Sequence, residues 1–433
     1  MVIGNPPYVR QELLGDQKKY FEAHYKVYHG MADLYSYFVE KGIGLLNDQG
    51  IYGVIVANKW MRANYGLLLR KFLKLQSVHE IIDFGDLPVF ESATTYPCII
   101  IASGVNDDHI SLNVTNVKTL KFESLDEYVK ENQQIIKKIN LDDNGWNLGS
   151  VAEQNLLNKL KINTIPLGEY VKGKIYRGVL TGLNEAFVID EETRDRLIKE
   201  DKSSAEIIKP FLAGRDIKRY QTPVSDKYLI FTRRGININN YPAIKNYLVQ
   251  FKKQLTPKSK ESKSEKEGRK PGPYKWYEIQ DAVDYFNEFE KSKIMLPDIA
   301  LKMQAMYDRN NLYCVNTAYI IPVDDKFLLG ILNSKLVQYY YSKTSSSIRG
   351  GYFRFIRQYL ETIPISKSII SKNEIISLVD QLLALNIEKS ITKLGTTIAQ
   401  IQGKIEYCEG RVDDLVYGLY GLTEEERRVV EGG

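Results

Sequence analysis

Four consecutive residues near the start of the chain, Asn5-Pro6-Pro7-Tyr8, combine groups that suit recognition of an aromatic amine. The Asn5 side chain carries an amide oxygen, and the backbone carbonyl of Pro6 is a second hydrogen-bond acceptor. Pro7 fixes its own φ and stiffens the loop, while Tyr8 offers a flat ring for stacking. The apolar pair Val2-Ile3 precedes them, as at the carboxyl end of a strand, where open α/β sheets bind ligands.

These groups suit methyl transfer to an exocyclic amine such as N6 of adenine. The lone pair of that amine is delocalised into the ring, which makes it a poor nucleophile. Two acceptors, Asn5 and the Pro6 carbonyl, could hold the amine pyramidal and aim its lone pair at a methyl donor, because preorganised partners lower the barrier. A plain Asn-Pro-Pro turn after a strand is the alternative interpretation.

A base inside a duplex cannot reach such a loop, so it must be flipped out of the helix. Flipping calls for a second aromatic wall opposite Tyr8. The candidate is Phe90, in a loop between a strand that ends at Phe84 and another that begins at Pro97. A packing role for Phe90 is the alternative on position alone.

The elements around these residues alternate between helix and strand over residues 1–105, which predicts a doubly wound α/β sheet. Asp33 is the predicted N-cap of the first helix, and the run at 50–57 is typical of a buried parallel strand. The predicted helices cover 33–46 and 64–75, and the predicted strands cover 50–57, 78–84 and 97–103.

Beyond this region the pattern changes twice. Residues 106–164 are more polar and indicate a helical connector, with helices at 126–139 and 150–160. Residues 165–365 consist of short segments punctuated by Tyr and Gly and indicate a second domain. Residues 366–433 are helical, with one amphipathic helix or two paired helices over 371–409.

Composition sets broad limits on function. The 433 residues carry a formal charge of +5, which permits a polyanionic partner without requiring one. Three dispersed cysteines and four histidines without ligand spacing predict no metal site and favour a reducing, cytoplasmic location. No apolar run is long enough to span a membrane. The Lys-rich stretch 252–275 either follows phosphates or stays unfolded.

Residues 1–105 resemble the second half of the catalytic domain of gamma-type N6-adenine methyltransferases, in the branch that includes TaqI methyltransferase and Eco57I-like fused restriction-modification enzymes. In that family the aromatic residue that corresponds to Phe90 stacks on the flipped adenine. The matching segments are Ile3-Gly4-Asn5-Pro6-Pro7-Tyr8-Val9, Ala32-Asp33-Leu34-Tyr35 with Phe38, Gly50-Ile51-Tyr52-Gly53-Val54-Ile55-Val56, and Ile82-Asp83-Phe84-Gly85 with Val89-Phe90.

Residues 165–365 resemble the target-recognition domain of the same enzymes, and the tail 413–423 also recurs there. The resemblance implies an α/β fold with a partial Rossmann-like methyltransferase sheet, then a mixed α+β target-recognition domain and a C-terminal helical segment. The segments that carry it are 176–187, 208–217, 276–279, Leu332-Asn333-Ser334-Lys335 and Gly350-Gly351-Tyr352.

The resemblance implies a site-specific DNA adenine-N6 methyltransferase of a restriction-modification system, with S-adenosylmethionine as methyl donor and double-stranded DNA as substrate. Asn5 and Pro6 would touch the methionine end of the donor, and no metal is needed. The family's glycine-rich cofactor loop is not found here. The missing N-terminal half is therefore expected in cis or in trans, with or without a nuclease, and this chain alone is expected to be inactive.

Phosphate clamps and base readers are expected among basic residues beside Gly or Tyr in the second domain. A solvated basic face is the alternative for any single one of them. The candidates are Arg177, Arg215, Lys218, Arg349 and Arg354.

Two other functions stay open at this stage. One is a non-catalytic DNA-recognition module. The other is an RNA or protein methyltransferase, since the tetrapeptide also occurs in enzymes that methylate amines of RNA or protein. The large domain at 165–365 favours DNA over the latter.

Overall fold

The computed structural model describes residues 1–90, 95–104, 110–143, 145–221, 225–259, 268–348 and 350–432. The chain divides into two compact units. The first contains residues 1–162 and 339–354, and the second contains residues 163–338 and 355–433. The domain boundaries inferred from the sequence remain predictions.

The first unit is built on a six-stranded sheet of order β1-β2-β4-β3-β5-β6. Four strands, β1, β2, β3 and β5, run in one direction, whereas β4 and β6 run against them. The strands are β1 (Val2–Gly4), β2 (Ile51–Ala57), β3 (Ser77–Asp83), β4 (Pro97–Ser103), β5 (Ser111–Asn116) and β6 (Gln134–Lys137).

Apolar side chains on β2, β3 and β4 form the core of this sheet, and helices pack against it. Val56, Ile81 and Ile100 are fully buried. The helices of this unit are α1 (Gln17–His24), α2 (Tyr35–Gly44), α3 (Leu67–Lys74), α4 (Leu125–Asn132) and α5 (Val151–Lys159). Because the parallel strands share one direction, the residues after β1, β2 and β3 meet at one edge, called here the carboxyl edge.

The second unit contains two four-stranded sheets, of order β15-β10-β11-β9 and β14-β12-β16-β8, and a β7–β19 pair. Its strands are β7 (Thr164–Pro166), β8 (Tyr176–Arg177), β9 (Val188–Asp190), β10 (Ile208–Leu212), β11 (Lys227–Ile230), β12 (Lys293–Pro297), β13 (Ile299–Ala300), β14 (Met306–Asp308), β15 (Tyr313–Cys314), β16 (Ala318–Ile321) and β19 (Pro364–Ser366). A hairpin of the first unit, β17 (Ser347–Ile348) and β18 (Tyr352–Arg354), precedes β19 in the chain.

Short helices connect these strands, and a helical segment ends the chain. The helices are α6 (Leu167–Tyr170), α7 (Asn184–Phe187), α8 (Glu191–Glu200), α9 (Ser204–Ile207), α10 (Pro242–Val249), α11 (Lys252–Leu255), α12 (Lys326–Leu332), α13 (Lys335–Thr344), α14 (Arg357–Leu360), α15 (Lys372–Ile391), α16 (Gly395–Leu419) and α17 (Glu424–Glu431).

The apolar periodicity over 371–409 corresponds to two paired helices, α15 and α16. They bury Val379 and Leu382 from one helix and Ile405 and Val412 from the other. The second helix continues to Leu419, beyond residue 409, where the predicted helical segment ends.

The predicted helix over 126–139 is correct only in its first half. Ser124 caps α4 by accepting a hydrogen bond from the Glu127 amide, but the helix ends at Asn132. Residues 134–137 then form β6, which pairs with β5 at the edge of the sheet. Residues 106–164 therefore contain strands β5 and β6 as well as helices α4 and α5, whereas the sequence predicted a helical connector. Only Ile136 of β6 is buried, so the apolar signal of this strand is weak.

The mixed architecture confirms the predicted fold class, a partial Rossmann-like sheet followed by an α+β region and a helical segment. Among the described residues, no helix is long and apolar enough to cross a bilayer. The three cysteines are buried and unpaired.

Candidate active site

The loop after β1 leaves the sheet at its carboxyl edge and is held in one conformation. The Pro7 carbonyl accepts a hydrogen bond from the Val9 amide (3.0 Å), and the Val9 carbonyl accepts one from the Leu34 amide (3.0 Å). Pro6 is buried, whereas Asn5 is exposed. The loop is therefore fixed to the segment before α2 while its first residue remains accessible.

The two acceptors expected from the sequence are both available. Within the described part of the chain, neither the Asn5 side chain nor the Pro6 carbonyl oxygen takes part in a hydrogen bond. The exposed Asn5 amide oxygen on this fixed loop can accept a bond from a ligand without breaking bonds within the protein, whereas Pro6 is a buried residue.

Tyr8 is anchored to the neighbouring strand, since its hydroxyl donates to the Ile55 carbonyl of β2 (3.3 Å). Burial, followed by the nearby Cys98 thiol, raises the pKa of Tyr8 to about 12. The hydroxyl therefore stays protonated at neutral pH and keeps its role as a donor. This anchor sets the position of the ring at the carboxyl edge.

Phe90, the second aromatic wall predicted from the sequence, lies against Tyr8. The ring centroids are 6.1 Å apart, and the planes cross at 64° in an edge-to-face contact. A base stacked between two parallel rings separates them by roughly 7 Å, twice the usual carbon contact distance. Base entry thus requires one ring to reorient, and both rings are partly exposed.

A second pair of loops at this edge is joined by side chains that the sequence analysis did not single out. The Asn58 amide after β2 donates to the Asp83 carboxylate at the end of β3 (2.8 Å) and to the Gly85 carbonyl (3.2 Å). Asp83 also accepts from the Gly85 amide (3.0 Å), where φ is +57°. This network fixes the start of the loop that carries Phe90. The sequence signal that could have identified Asn58 and Asp83 was their position, because both lie at the carboxyl ends of parallel strands.

Asp33 has a different role from the predicted helix cap. Helix α2 begins at Tyr35, and Leu34 occupies the cap position without a side-chain bond. The Asp33 carboxylate instead accepts from the Gln11 amide (3.0 Å), which ties the segment after the Asn5–Tyr8 loop to the start of α2.

Two of the basic candidates in the second unit, Arg177 and Arg215, both lie near Asp298. The Arg177 side chain donates to the Asn316 carbonyl (3.0 Å) and lies 3.7 Å from the Asp298 carboxylate. Asp298 and Arg215 line one cavity of about 430 Å³, whose walls are mostly apolar. The Arg215 side chain is 77% exposed, and Lys218 is exposed nearby in the chain.

The other candidates are placed differently. Arg354 is an exposed residue of β18 in the first unit, and Arg349 lies outside the described residues.

The Lys-rich stretch is ordered at both ends. Its start forms α11, and Arg269 is buried, with its guanidinium donating to the Leu255 and Thr181 carbonyls (both 2.7 Å). Trp276 is partly buried against the core of the second unit. Residues 260–267 lie outside the described part. Arg269 is therefore a structural residue.

No group of three or more potential metal ligands occurs in the part of the chain that the structure describes. The groups that the Asn5–Tyr8 loop and Phe90 offer are amide, carbonyl and aromatic.

Two family models and one solved structure are similar to parts or all of this chain. Residues 1–90 match the family model described as Eco57I restriction-modification methylase, and residues 209–365 match the TaqI-like C-terminal specificity domain. The type IIL restriction-modification enzyme MmeI, solved in complex with DNA, has a similar fold over 99% of this chain and 56% of its own (TM-score 0.63, 14% identity).

Two relatives of this chain are type II methyltransferases. Type II methyltransferase M.BstVI of Geobacillus stearothermophilus is 28% identical over 85% of this chain and 68% of its own length. Type II methyltransferase M.PaeR7I of Pseudomonas aeruginosa is 26% identical over 100% of this chain and 72% of its own length.

The fold and these matches define a DNA methyltransferase of the restriction-modification class. Within that class the chain is similar to the Eco57I restriction-modification methylases over residues 1–90 and to TaqI-like specificity domains over residues 209–365. The family prediction made from the sequence is confirmed.

Proposed function

We propose that this chain captures a flipped adenine and presents its N6 amine for methylation, within a DNA methyltransferase that recognises a specific site. The observation that carries the proposal is the Asn5–Tyr8 loop. Two acceptors there, Asn5 and the Pro6 carbonyl, are not used by other described residues, and they lie beside the contacting rings of Tyr8 and Phe90.

In this proposal the aromatic residues bind the base and the polar groups orient its amine. Tyr8 and Phe90 stack on the base and exclude water from its faces. The Asn5 amide oxygen and the Pro6 carbonyl accept the two N6–H bonds, so that the nitrogen becomes pyramidal and its lone pair is no longer delocalised into the ring. Because the loop is fixed in advance, little reorganisation accompanies the reaction.

S-adenosylmethionine, used generally by methyltransferases, supplies an electrophilic methyl group on a sulfonium. Asn5 and Pro6 are the residues expected to meet its methionine end. The exposed, unengaged amide of Asn5 fits such a contact, since it offers a donor as well as an acceptor. The N-terminal half of the catalytic domain, expected from the resemblance, would complete the cofactor pocket. We expect the complete protein to be cytoplasmic.

The second unit is proposed to read double-stranded DNA, with Arg177 and Arg215 as first candidates for base contacts and Lys218 as a phosphate contact. Arg177 is held by Asp298 and Asn316, while Arg215 lines the cavity that Asp298 borders. A fixed arginine suits a guanine edge, whereas a mobile lysine suits a phosphate.

Loss of either aromatic wall is expected to weaken base capture. Phe90→Ala should reduce affinity for DNA with an extrahelical adenine by roughly 1–3 kcal/mol, the stacking contribution of one ring. Fluorescence of 2-aminopurine at the target position measures this, since an unstacked base is brighter. Phe122→Ala, a partly buried ring that packs near Tyr128, is the matched control. Unchanged capture by the Phe90 variant would contradict the stacking role.

Binding to duplex DNA by the chain is expected to fall steeply with salt, with a log–log slope of about −0.9 per phosphate contacted. Arg215→Ala should relax specificity at one base pair, by about 1–3 kcal/mol, if Arg215 reads a base. Lys199→Ala, an exposed cation on α8, should change neither quantity. Filter binding with random duplex and with single-stranded RNA of equal length provides the measurement.

The same experiment separates the alternatives. A clear preference for RNA would favour an RNA methyltransferase. Specific duplex binding by a complete protein that never methylates adenine would favour a recognition module.

A further inference from the structure

The turn after β2 presents two cations near the candidate active site. Lys59 is exposed and Arg62 is partly exposed, while Trp60 and Met61 between them are buried. The buried pair anchors the turn to the core, so that the flanking cations are held at its surface.

The backbone of this turn is fixed from inside the protein. Arg70, which is 1% exposed, donates to the carbonyls of Trp60, Ala63 (2.9 Å) and Asp143 (2.7 Å). A Cβ on Gly66 would lie 2.0 Å from the Trp60 carbonyl oxygen, so only glycine fits this close approach. The turn is thus preorganised before any ligand binds.

Lys59 and Arg62 line one small pocket together with Asn58, Gly85 and Tyr96. Neither cation forms an ion pair with a carboxylate among the described residues. Arg62 makes one long hydrogen bond, to the Ser345 carbonyl (3.5 Å).

Asp83, the acidic residue of the pocket, is 6% exposed and already bonded to the Asn58 amide and the Gly85 amide. The pocket therefore offers two cations that form no ion pair with a described carboxylate, with the Asp33 carboxylate within electrostatic range of Lys59.

This pocket lies beside the proposed base site. Its Gly85 begins the loop that leads to Phe90, and Asn58 joins that loop to β2. Burial raises the pKa of Asp33, and the charge of Lys59 acts against that rise, so the two side chains are within electrostatic range. Asp33 in turn binds Gln11, shortly after Tyr8.

We propose that Lys59 and Arg62 bind the backbone phosphate adjacent to the flipped nucleotide. This inference rests on the proposed base capture. Flipping rotates the nucleotide about its backbone, which leaves the flanking phosphate next to the edge that receives the base. A guanidinium and an ammonium satisfy a phosphate through charge-assisted hydrogen bonds, and a fixed turn lowers the cost of ordering them.

The test uses DNA hairpins with one bulged adenosine, whose two flanking phosphates are either native or replaced by uncharged methylphosphonates. The wild-type chain should bind the uncharged hairpin about tenfold more weakly, the scale of one charge-assisted hydrogen bond. Lys59→Ala/Arg62→Ala should bind both hairpins equally, with a salt slope less steep by about 0.9. Circular dichroism verifies that the variant is folded, and Lys59→Gln/Arg62→Gln repeats the test with longer side chains.

Lys137→Ala is the matched control, because Lys137 is an exposed lysine at the opposite edge of the same sheet. It should keep the wild-type discrimination. Equal wild-type affinity for charged and uncharged hairpins, or undiminished discrimination in the double variant, would overturn the proposal.

Two further outcomes are distinguishable. Lack of preference for a bulged over a fully paired hairpin contradicts base capture itself. Loss of S-adenosylmethionine binding when the double variant is made in the complete methyltransferase, with unchanged DNA discrimination, would assign the cations to the methionine carboxylate and overturn the phosphate role.

Discussion

Replacing Asn5 with alanine in the complete methyltransferase is expected to slow methyl transfer by about 10²–10³-fold, because one preorganised partner of the reacting amine is lost. The Asn5 side chain forms no hydrogen bond with other described residues, so its removal should leave the fold unchanged. Single-turnover kinetics with radioactive methyl donor and saturating DNA isolate the chemical step from binding.

Two comparisons make this result specific. Asn158→Ala removes an exposed asparagine side chain from α5, away from the loop, and should leave the rate unchanged. Asn5→Ala should also keep the 2-aminopurine signal of base flipping, since Tyr8 and Phe90 remain. Methyl transfer at the normal rate by Asn5→Ala would show that the proposed chemistry is wrong.

Much of the scaffold of this site could be predicted from apolar runs and turn signals. The predicted strand at 97–103 coincides with β4, and the loop after β1 lies where the tetrapeptide indicates. The direction of β4 was not predicted, because an apolar run reports burial and not the orientation of its neighbours. β4 runs antiparallel between β2 and β3, so that their carboxyl ends remain on one edge.

The residues that position the site were less accessible to sequence reasoning. Arg70 looks like an ordinary helix-surface cation, yet it is buried and binds three backbone carbonyls. Arg269 lies in a Lys-rich stretch of low complexity and is also buried. In both cases the partners are carbonyl groups, which carry no side-chain signature, and only the fold brings them together.

Lys293→Met is expected to destabilise the second unit by about 3–5 kcal/mol, because it leaves a buried carboxylate without its cation. Lys293 on β12 and Asp308 on β14 are paired across the sheet and are both fully buried. Asp308 also accepts hydrogen bonds from the Asn310 and Leu312 amides (2.8 and 3.0 Å), which fix the turn after β14. Urea unfolding followed by fluorescence measures the loss.

The double variant Lys293→Met/Asp308→Asn separates charge from packing. The asparagine oxygen can still accept from one of the two turn amides, which bond to different oxygens of Asp308, and the uncompensated charge is gone, so part of the lost stability should return. Lys291→Met is the control, since the Lys291 side chain is exposed and pairs with the partly buried Glu288, and its loss should cost less than about 1 kcal/mol. A Lys293→Met loss no larger than that of Lys291→Met would contradict the role of the buried pair.

The buried pair also bears on DNA recognition. Strand β12 ends at Pro297, and the next residue, Asp298, holds Arg177 and borders the cavity beside Arg215. Partial unfolding around β12 would release these groups from their fixed positions. Lys293→Met is therefore expected to weaken specific DNA binding in parallel with stability, and the double variant should restore both together. Recovery of stability without recovery of binding would show that Lys293 acts on DNA by a separate route.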